Sequence, residues 1–220
     1  MLQSIHNILI RHAPGIVCSN FAEAWLAQRP VSRQKRPMKT ETFSIKGPVL
    51  FTPEQHGDKR GFFAETFRAK DFEESTGTAA NFLQDNLSVS TQVGTLRGLH
   101  FQAPPHAQGK LVSCQRGRIM DVIIDARKSS PSYGHHICVE LSAENRASLW
   151  VPPSFLHGYV TREAECEVVY KVTKYYAPEA EGSVIWNDPA LNIQWKVEQP
   201  ILSKRDQGRR SPCRAWYVQR

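Results

Sequence analysis

Short runs of residues that favour β-strands recur between positions 42 and 186, and this pattern limits the possible folds more than any other feature. Gly, Pro, Asn and Asp separate the runs, as in domains built from many short strands. One stretch, 69–75, has the pattern of a short helix. We therefore predict an all-β domain with a few short helices, either a jelly roll or another double-sheet barrel. The predicted strands are 42–45, 61–66, 83–89, 110–115, 119–125, 136–141, 148–151, 165–173 and 183–186.

The positive charge of the chain is concentrated at its two ends. The 220 residues carry a formal net charge of +7, of which residues 1–37 contribute +4 and residues 207–220 another +4, while residues 38–206 carry −1. A nucleic-acid-binding domain is expected to have a basic face on the fold itself, so we predict no nucleic-acid partner. We expect an N-terminal extension (1–37) outside the fold, one folded domain (38–206) and a basic tail (207–220). The extension also has the composition of an organellar transit peptide, and this alternative stays open.

The cysteines indicate a reducing compartment. Their number is odd, they are scattered, and no C-x-x-C spacing occurs, which argues against a disulfide framework or a zinc knuckle. We therefore expect a cytoplasmic protein. No membrane is expected as a partner, because no apolar run approaches the roughly 20 residues that span a bilayer. The cysteines are Cys18, Cys114, Cys138, Cys166 and Cys213.

Two predicted strands place polar side chains on apolar faces. Side chains alternate between the two faces of a strand, and in 165–173 the even-numbered face, which includes Tyr170, is the more apolar. Lys110 likewise shares a face with Val112 and Cys114. A buried lysine is costly unless it has a partner or a ligand. These two residues are the first indication of a site inside the barrel.

Two histidines, His100 near Arg97 and His157 at the end of the segment 150–157, are candidates for catalytic or binding residues. A lone histidine such as His100 is most often a satisfied core residue. Metal-binding barrels of this class usually place a second histidine two residues further along, where this chain has Gln102, so we predict no metal site. The alternative is acid–base chemistry, with His100 as base and a tyrosine as acid. A lysine could then stabilise an oxyanion, and arginines could bind phosphate.

Nine ordered blocks of sequence are specific enough to suggest a family. They read GDKRGFFAETF (57–67), QDNLSVS (84–90), RGLHFQAPPHAQGKLV (97–112), GRIMDVIIDAR (117–127), SPSYG (130–134), LSAENRASLWVPPSFLHG (141–158), VVYKVTKYYAPEAEG (168–182), IWNDPALNIQW (185–195) and LSKRD (202–206). Together they resemble the dTDP-4-dehydrorhamnose 3,5-epimerases over roughly residues 42–206.

The resemblance implies a cupin-type jelly-roll β-barrel that acts as a homodimer without metal or organic cofactor. It implies His100 as the base and Asp206 as the carboxylate that orients it. Tyr170 would be the acid on the opposite face, and Lys110 would stabilise the enolate. The positions that contact the nucleotide sugar in the family correspond to Arg60, Glu65, Gln84, Asn86, Arg97, His157 and Glu181.

The implied reaction is epimerisation at carbons 3 and 5 of dTDP-4-dehydro-6-deoxy-D-glucose (a dTDP-4-keto-6-deoxyglucose), which gives dTDP-4-dehydro-L-rhamnose. The ketone at carbon 4 acidifies the neighbouring C–H bonds, and the enolate that forms needs preorganised donors. Inversion needs a base on one face of the sugar and an acid on the other. A barrel interior supplies two walls and excludes water.

Three other functions stay open on the sequence alone. A single-site 3-epimerase of a dTDP-4-keto-6-deoxysugar could use the same base and acid. A metal-dependent cupin oxygenase or isomerase would need ligands that Gln102 does not supply. A non-catalytic nucleotide-sugar-binding barrel would keep Arg60 and Arg97 but would have no need of His100 and Tyr170.

Overall fold

The computed structural model describes residues 38–208, which form thirteen strands and two short helices. The predicted extension and most of the basic tail lie outside the described residues. The helices are α1 (Ala69–Thr76) and α2 (Lys204–Gln207), and a 3₁₀ turn covers Pro178–Ala180. The strands are β1 (Lys39–Thr42), β2 (Val49–Thr52), β3 (Gln55–Asp58), β4 (Gly61–Ala64), β5 (Gln84–Ser90), β6 (Leu96–Gln102), β7 (Lys110–Arg116), β8 (Arg118–Asp125), β9 (His136–Ser142), β10 (Ser148–Val151), β11 (Phe155–Thr161), β12 (Cys166–Val172) and β13 (Glu181–Ser183).

Eleven of the strands form two antiparallel sheets that pack face to face. The six-stranded sheet has the order β1-β2-β10-β7-β12-β5, and the five-stranded sheet has the order β13-β6-β11-β8-β9. Val112 and Val168 from the first sheet and Ile123 and Leu141 from the second belong to one buried cluster between them. Each fully buried side chain of this size contributes about 1.5–3 kcal/mol. The predicted all-β, double-sheet fold is confirmed.

Each sheet is also covered on its outer face. Helix α1 lies on the six-stranded sheet, where Phe72 is 1% exposed and its ring centroid lies 4.9 Å from that of Trp150. The covering segment (184–202) lies on the five-stranded sheet, where Leu191 and Trp195 belong to one cluster with Val122. At the end of this segment, the Leu96 amide donates a backbone hydrogen bond of 3.0 Å to the Ile201 carbonyl. The position of Ile201 brings α2 back to the edge of the barrel.

Seven of the nine predicted strands coincide with observed strands, and the first and the last overlap an observed strand at one residue each. Residues 42–45 are strand only at Thr42, and residues 183–186 only at Ser183. The pattern also misses β2, β3, β6 and β11. Strands β6 and β11 each contain an internal glycine, which interrupts the alternation of side chains on which the prediction depends.

Candidate active site

A cavity of about 650 Å³ opens between the two sheets. All four residues with predicted catalytic roles line it, and so do five of the seven with predicted binding roles. The catalytic set is His100, Lys110, Tyr170 and Asp206, and the binding set is Gln84, Asn86, Arg97, His157 and Glu181. Residues far apart in sequence thus converge on one space.

One wall of the cavity is formed by β6 and β11, which approach each other unusually closely. His100 pairs directly with His157 in this ladder. A Cβ atom on Gly98 would lie 2.6 Å from Gly158 Cα, and Gly98 has a φ of +130°, which L side chains rarely adopt. Glycine is therefore required at this close approach of the two paired strands. The close approach places both imidazoles on the same wall.

The His100 imidazole is hydrogen-bonded to a carboxylate that arrives from the far end of the domain. His100 Nε2 lies 2.6 Å from Asp206 Oδ1, and the Ser203 hydroxyl donates to Asp206 Oδ2 at 2.8 Å. Ser203 is also the N-cap of α2 and accepts a hydrogen bond from the Asp206 amide. Burial raises the pKa of Asp206, but the hydrogen bonds from His100 and Ser203, the charge of His100 when protonated and the charge of Arg205 outweigh it and hold the pKa below its usual value. Asp206 is therefore an ionised acceptor at neutral pH.

The opposite wall belongs to the six-stranded sheet and presents Tyr170 and Lys110. Tyr170 lies on β12, and the prediction that it points into the barrel is confirmed by its place in the cavity lining. Burial raises the pKa of Tyr170, and the charge of Arg97 opposes part of the rise. Burial lowers the pKa of Lys110 to about 8, with the charge of Asp121 raising it and that of Arg205 lowering it. Both groups are thus mainly protonated at neutral pH.

A second histidine–carboxylate pair lies beside the first. The sequence analysis predicts its histidine, His157, but not its carboxylate, Asp121. His157 Nε2 lies 2.9 Å from Asp121 Oδ2. Asp121 is fully buried on β8, and its Oδ1 has no hydrogen-bond partner among residues 38–208. Asp121 lies on the inward face of a strand, between Ile119 and Ile123. The same alternation that singled out Lys110 could have found it.

Hydrogen bonds within the six-stranded sheet and from the facing sheet fix the polar lining next to Tyr170. Gln84 Nε2 donates to Asn86 Oδ1 at 2.7 Å, and Arg97 donates to the Val89 carbonyl at 2.9 Å. Tyr159 donates to the Ser88 hydroxyl at 2.9 Å. Sequence reasoning also missed Ser88 and Tyr159, together with Tyr176 and Arg205 at the rim.

Arg60 and Glu65 do not line the cavity. Arg60 lies in the β3–β4 hairpin, where it pairs with Asp58 and its side chain is 89% exposed. Glu65 follows β4 and accepts a hydrogen bond from Arg68 at 2.5 Å. The structure therefore brings together the catalytic set and five binding positions within one chain, but leaves these two outside.

Gln102, at the position where a metal-binding barrel would carry a histidine, has a structural role. Its side chain is buried, donates to the carbonyls of His106 and Tyr175, and accepts from the Ala177 amide at 2.7 Å. It fixes the loop after β6 and the connection after β12 at the mouth of the cavity. In the part of the chain that the structure describes, no three His, Cys, Asp or Glu side chains are grouped as metal ligands.

No helix within residues 38–208 has the length and apolar character needed to cross a membrane.

Comparison with known proteins places the chain in a family. The family model described as dTDP-4-dehydrorhamnose 3,5-epimerase matches residues 42–211. The protein of that name from Shigella flexneri is 47% identical over 169 residues, which is 77% of this chain and 91% of that protein.

Solved structures agree in both fold and sequence. The dTDP-4-dehydrorhamnose 3,5-epimerase of Elizabethkingia anophelis has a TM-score of 0.78 and 42% identity, and the match covers 82% of this chain and all of that one. The dTDP-6-deoxy-D-glucose-3,5-epimerase of Legionella pneumophila, in complex with dTDP-4-keto-L-rhamnose, has a TM-score of 0.73 and 44% identity, with 77% and 89% covered. These likenesses extend over the jelly roll and its cavity, and the chain belongs to the dTDP-4-dehydrorhamnose 3,5-epimerase family.

Proposed function

We propose that the protein is an isomerase that epimerises dTDP-4-dehydro-6-deoxy-D-glucose at carbons 3 and 5, giving dTDP-4-dehydro-L-rhamnose for dTDP-L-rhamnose synthesis. One observation carries the proposal. The His100–Asp206 pair and Tyr170 line one cavity from opposite sheets, with Lys110 beside Tyr170. A base and an acid on facing walls are what inversion at a carbon next to a ketone needs.

His100 is the base, and Nδ1 is the atom that takes the proton. Because Asp206 is ionised and both its oxygens accept, His100 Nε2 must donate the proton in their 2.6 Å bond. The neutral imidazole then has its lone pair on Nδ1. Proton transfer from the sugar gives an imidazolium, which the Asp206 carboxylate stabilises.

Lys110 stabilises the charge that forms when the C–H bond breaks. The electron pair of that bond moves into the ketone and makes an enolate oxygen. An ammonium group that is already buried in the cavity needs little reorganisation to meet that oxygen. The buried carboxylate of Asp121 favours the charged form of Lys110.

Tyr170 completes the inversion by delivering a proton to the opposite face of the carbon. Its hydroxyl is mainly protonated at neutral pH because burial raises its pKa. The tyrosinate that remains is close enough to Arg97 to feel its charge. Solvent then restores the proton to Tyr170 and removes one from His100, so each turnover exchanges a carbon-bound hydrogen with water.

Gln84, Asn86, Arg97, His157 and Glu181 are proposed to contact the nucleotide sugar, since all of them line the cavity. Arg60 and Glu65 lie outside it, so in this proposal they reach a substrate bound to a second copy in a homodimer. The hairpin that carries Arg60 supports this, because it presents Phe62 and Phe63 with exposures of 49% and 66%. Exposed aromatic rings of this kind mark contact surfaces.

Mixing two inactive variants tests the shared site. Arg60→Ala and His100→Ala are each expected to lose most activity. A mixed dimer contains one cavity with an intact His100 and an intact Arg60 from its partner, so unfolding and refolding the two together should restore activity. If the mixture stays as inactive as its components, Arg60 does not act across an interface.

We place the enzyme in the cytoplasm, which is consistent with the free thiols of Cys114, Cys138 and Cys166.

Incubation with dTDP-4-dehydro-6-deoxy-D-glucose in heavy water, followed by NMR of the sugar, tests the function. Deuterium at both carbon 3 and carbon 5 is the expected result. Label at carbon 3 alone would make the protein a 3-epimerase. The absence of label from folded protein would refute the acid–base assignment and leave a nucleotide-sugar-binding barrel.

A further inference from the structure

An ion pair at the rim of the cavity joins the last helix of the domain to the five-stranded sheet. Arg205 of α2 pairs with Glu181, the first residue of β13. The Glu181 side chain is 16% exposed, and that of Arg205 is 34% exposed. Glu181 also accepts a hydrogen bond from the Tyr176 hydroxyl at 2.8 Å. The pair is therefore partly shielded from water, where ionic interactions are stronger than on an open surface.

Helix α2 has few other attachments, although it carries the carboxylate that orients the base. The cap by Ser203 and the Gln207–Leu202 hydrogen bond lie within its own segment. Among residues 38–208, two polar side-chain contacts join Lys204–Gln207 to the barrel: His100 with Asp206, and Glu181 with Arg205. A helix of four residues has little stability of its own. Its position therefore depends on these contacts and on the packing of the preceding chain.

Glu181 itself is held in place by the sheet. It pairs with Gln102 in the β13–β6 ladder, and Ser183 of the same strand pairs with His100. Gln102 in turn fixes the backbone of Tyr175 and Ala177, on either side of the tyrosine that bonds to Glu181. The carboxylate of Glu181 is thus a fixed point on β13, the strand that pairs with the one carrying the base.

We propose that Glu181 and Arg205 are positioning residues that hold α2 against the barrel and so keep Asp206 in line with His100. Without Glu181, the guanidinium of Arg205 would have the adjacent Asp206 carboxylate as a competing partner. That competition would turn the carboxylate away from the imidazole, and the base would lose the bond that fixes its tautomer. This role rests on the proposed function, and for Glu181 it replaces the sugar contact proposed above with an action through Arg205 and Asp206.

Glu181→Gln is the variant that tests the role, with Glu181→Asp to restore the charge. The matched control is Glu179→Gln, which makes the same chemical change two residues away on a side chain that is 70% exposed. We expect kcat of Glu181→Gln to fall about 10- to 100-fold, a fraction of the effect of losing a general base. KM and the affinity for dTDP should change less than about threefold, because only transition-state interactions are weakened. Glu181→Asp should recover most of the rate, and the control should match the wild type.

Proton NMR of the imidazole N–H in the short His100–Asp206 bond reports directly on that bond. Its resonance would not change if Glu181 and Arg205 only stabilised the fold. The resonance is identified by its loss in Asp206→Asn. It should shift or broaden in Glu181→Gln and in Arg205→Gln while the melting temperature stays near that of the wild type. The double variant should be no slower than either single one, as expected for residues that act as a unit.

The outcomes separate this proposal from the proposed function. An unchanged kcat in Glu181→Gln, or a loss confined to KM and dTDP affinity, would overturn the positioning role and make Glu181 at most a substrate contact. If Glu181→Gln does not fold, Arg205→Gln with the same measurements decides. If the wild type exchanges no sugar hydrogen, the proposed function fails, while the imidazole resonance still reports whether the ion pair holds Asp206 in place.

Discussion

Replacing Asp206 with asparagine should remove the base without removing the hydrogen-bonded contact. Both carboxylate oxygens now accept, one from His100 Nε2 at 2.6 Å and one from the Ser203 hydroxyl at 2.8 Å. An amide has one acceptor oxygen and one donor nitrogen. If the oxygen keeps Ser203, the amide nitrogen faces His100 and forces its proton onto Nδ1. If the oxygen keeps His100, the amide nitrogen faces Ser203, and the imidazolium loses its anionic partner.

The size of the effect follows from which of these two losses occurs. A wrong tautomer in a histidine–carboxylate pair of a different enzyme class costs about 10⁴-fold in kcat. His100 is 24% exposed at its side chain, so water can replace part of the lost interaction. We therefore expect kcat to fall about 10²- to 10³-fold, or about 3–4 kcal/mol in activation free energy. The affinity for dTDP should stay within about threefold, since Asp206 acts through His100.

The rate of deuterium incorporation into the sugar, followed by NMR at a series of enzyme concentrations, measures a loss of kcat over a roughly 10³-fold range. Asp188→Asn is the matched control, because Asp188 is as buried as Asp206 (7% against 9% exposed) and does not line the cavity. The control should fold and turn over at the wild-type rate. An Asp206→Asn enzyme within threefold of the wild type would refute the inference that the carboxylate sets the tautomer of His100.

Three further predictions test the other wall and the outer layer. Tyr170→Phe should lower kcat about 10²-fold or more while dTDP affinity measured by calorimetry is unchanged, and equal losses in both would argue against an acid role. Because the pKa of Lys110 is lowered to about 8, its charge is lost as the pH rises through that value, so kcat/KM of the wild type should decline above pH 8. Lys110→Arg should remove that decline even if it is slower, and a decline that persists would assign it to another group. Phe72→Ala should lower the free energy of unfolding in urea by about 3–5 kcal/mol. The folded enzyme should stay active, since Phe72 lies in the outer layer with Trp150. A loss below about 1 kcal/mol would mean that the neighbouring side chains fill the space left by the ring.

The sequence predicts those parts of the site that depend on side-chain alternation. Tyr170 and Lys110 lie on strands with clear alternation, and the structure places both in the cavity. His100 lies on β6, which the pattern does not predict as a strand, because Gly98 is required there by the close approach of β11 rather than by a turn. The resemblance of the surrounding block, not the periodicity, identified His100. Spacing alone would have left it a core histidine.

Long-range contacts are predicted only where the resemblance to a family supplies them. The contact of Asp206 with His100 spans 106 positions, so residue patterns alone do not predict it, and its geometry depends on how the covering segment packs onto the outer face of the sheet. Arg205 has no sequence signal that distinguishes it from a charged residue facing solvent. For Arg60, the motif match implies a contact with the nucleotide sugar, but the sequence does not predict that its side chain lies outside the cavity.

The two walls suggest how one set of residues can act on one carbon or on two. His100 and Tyr170 belong to different sheets, so the direction of proton delivery is fixed by the barrel and is the same for either carbon. Inversion at both carbons therefore requires each C–H bond in turn to lie against the same base. Gln84 and Asn86 line the cavity together with Tyr170, and we predict that these polar side chains, rather than the base or the acid, decide which carbon takes that position. Substitutions at Gln84 or Asn86 that shift deuterium from both carbons to carbon 3 alone would support this division of roles. A ratio of label that moves only with His100 or Tyr170 would contradict it.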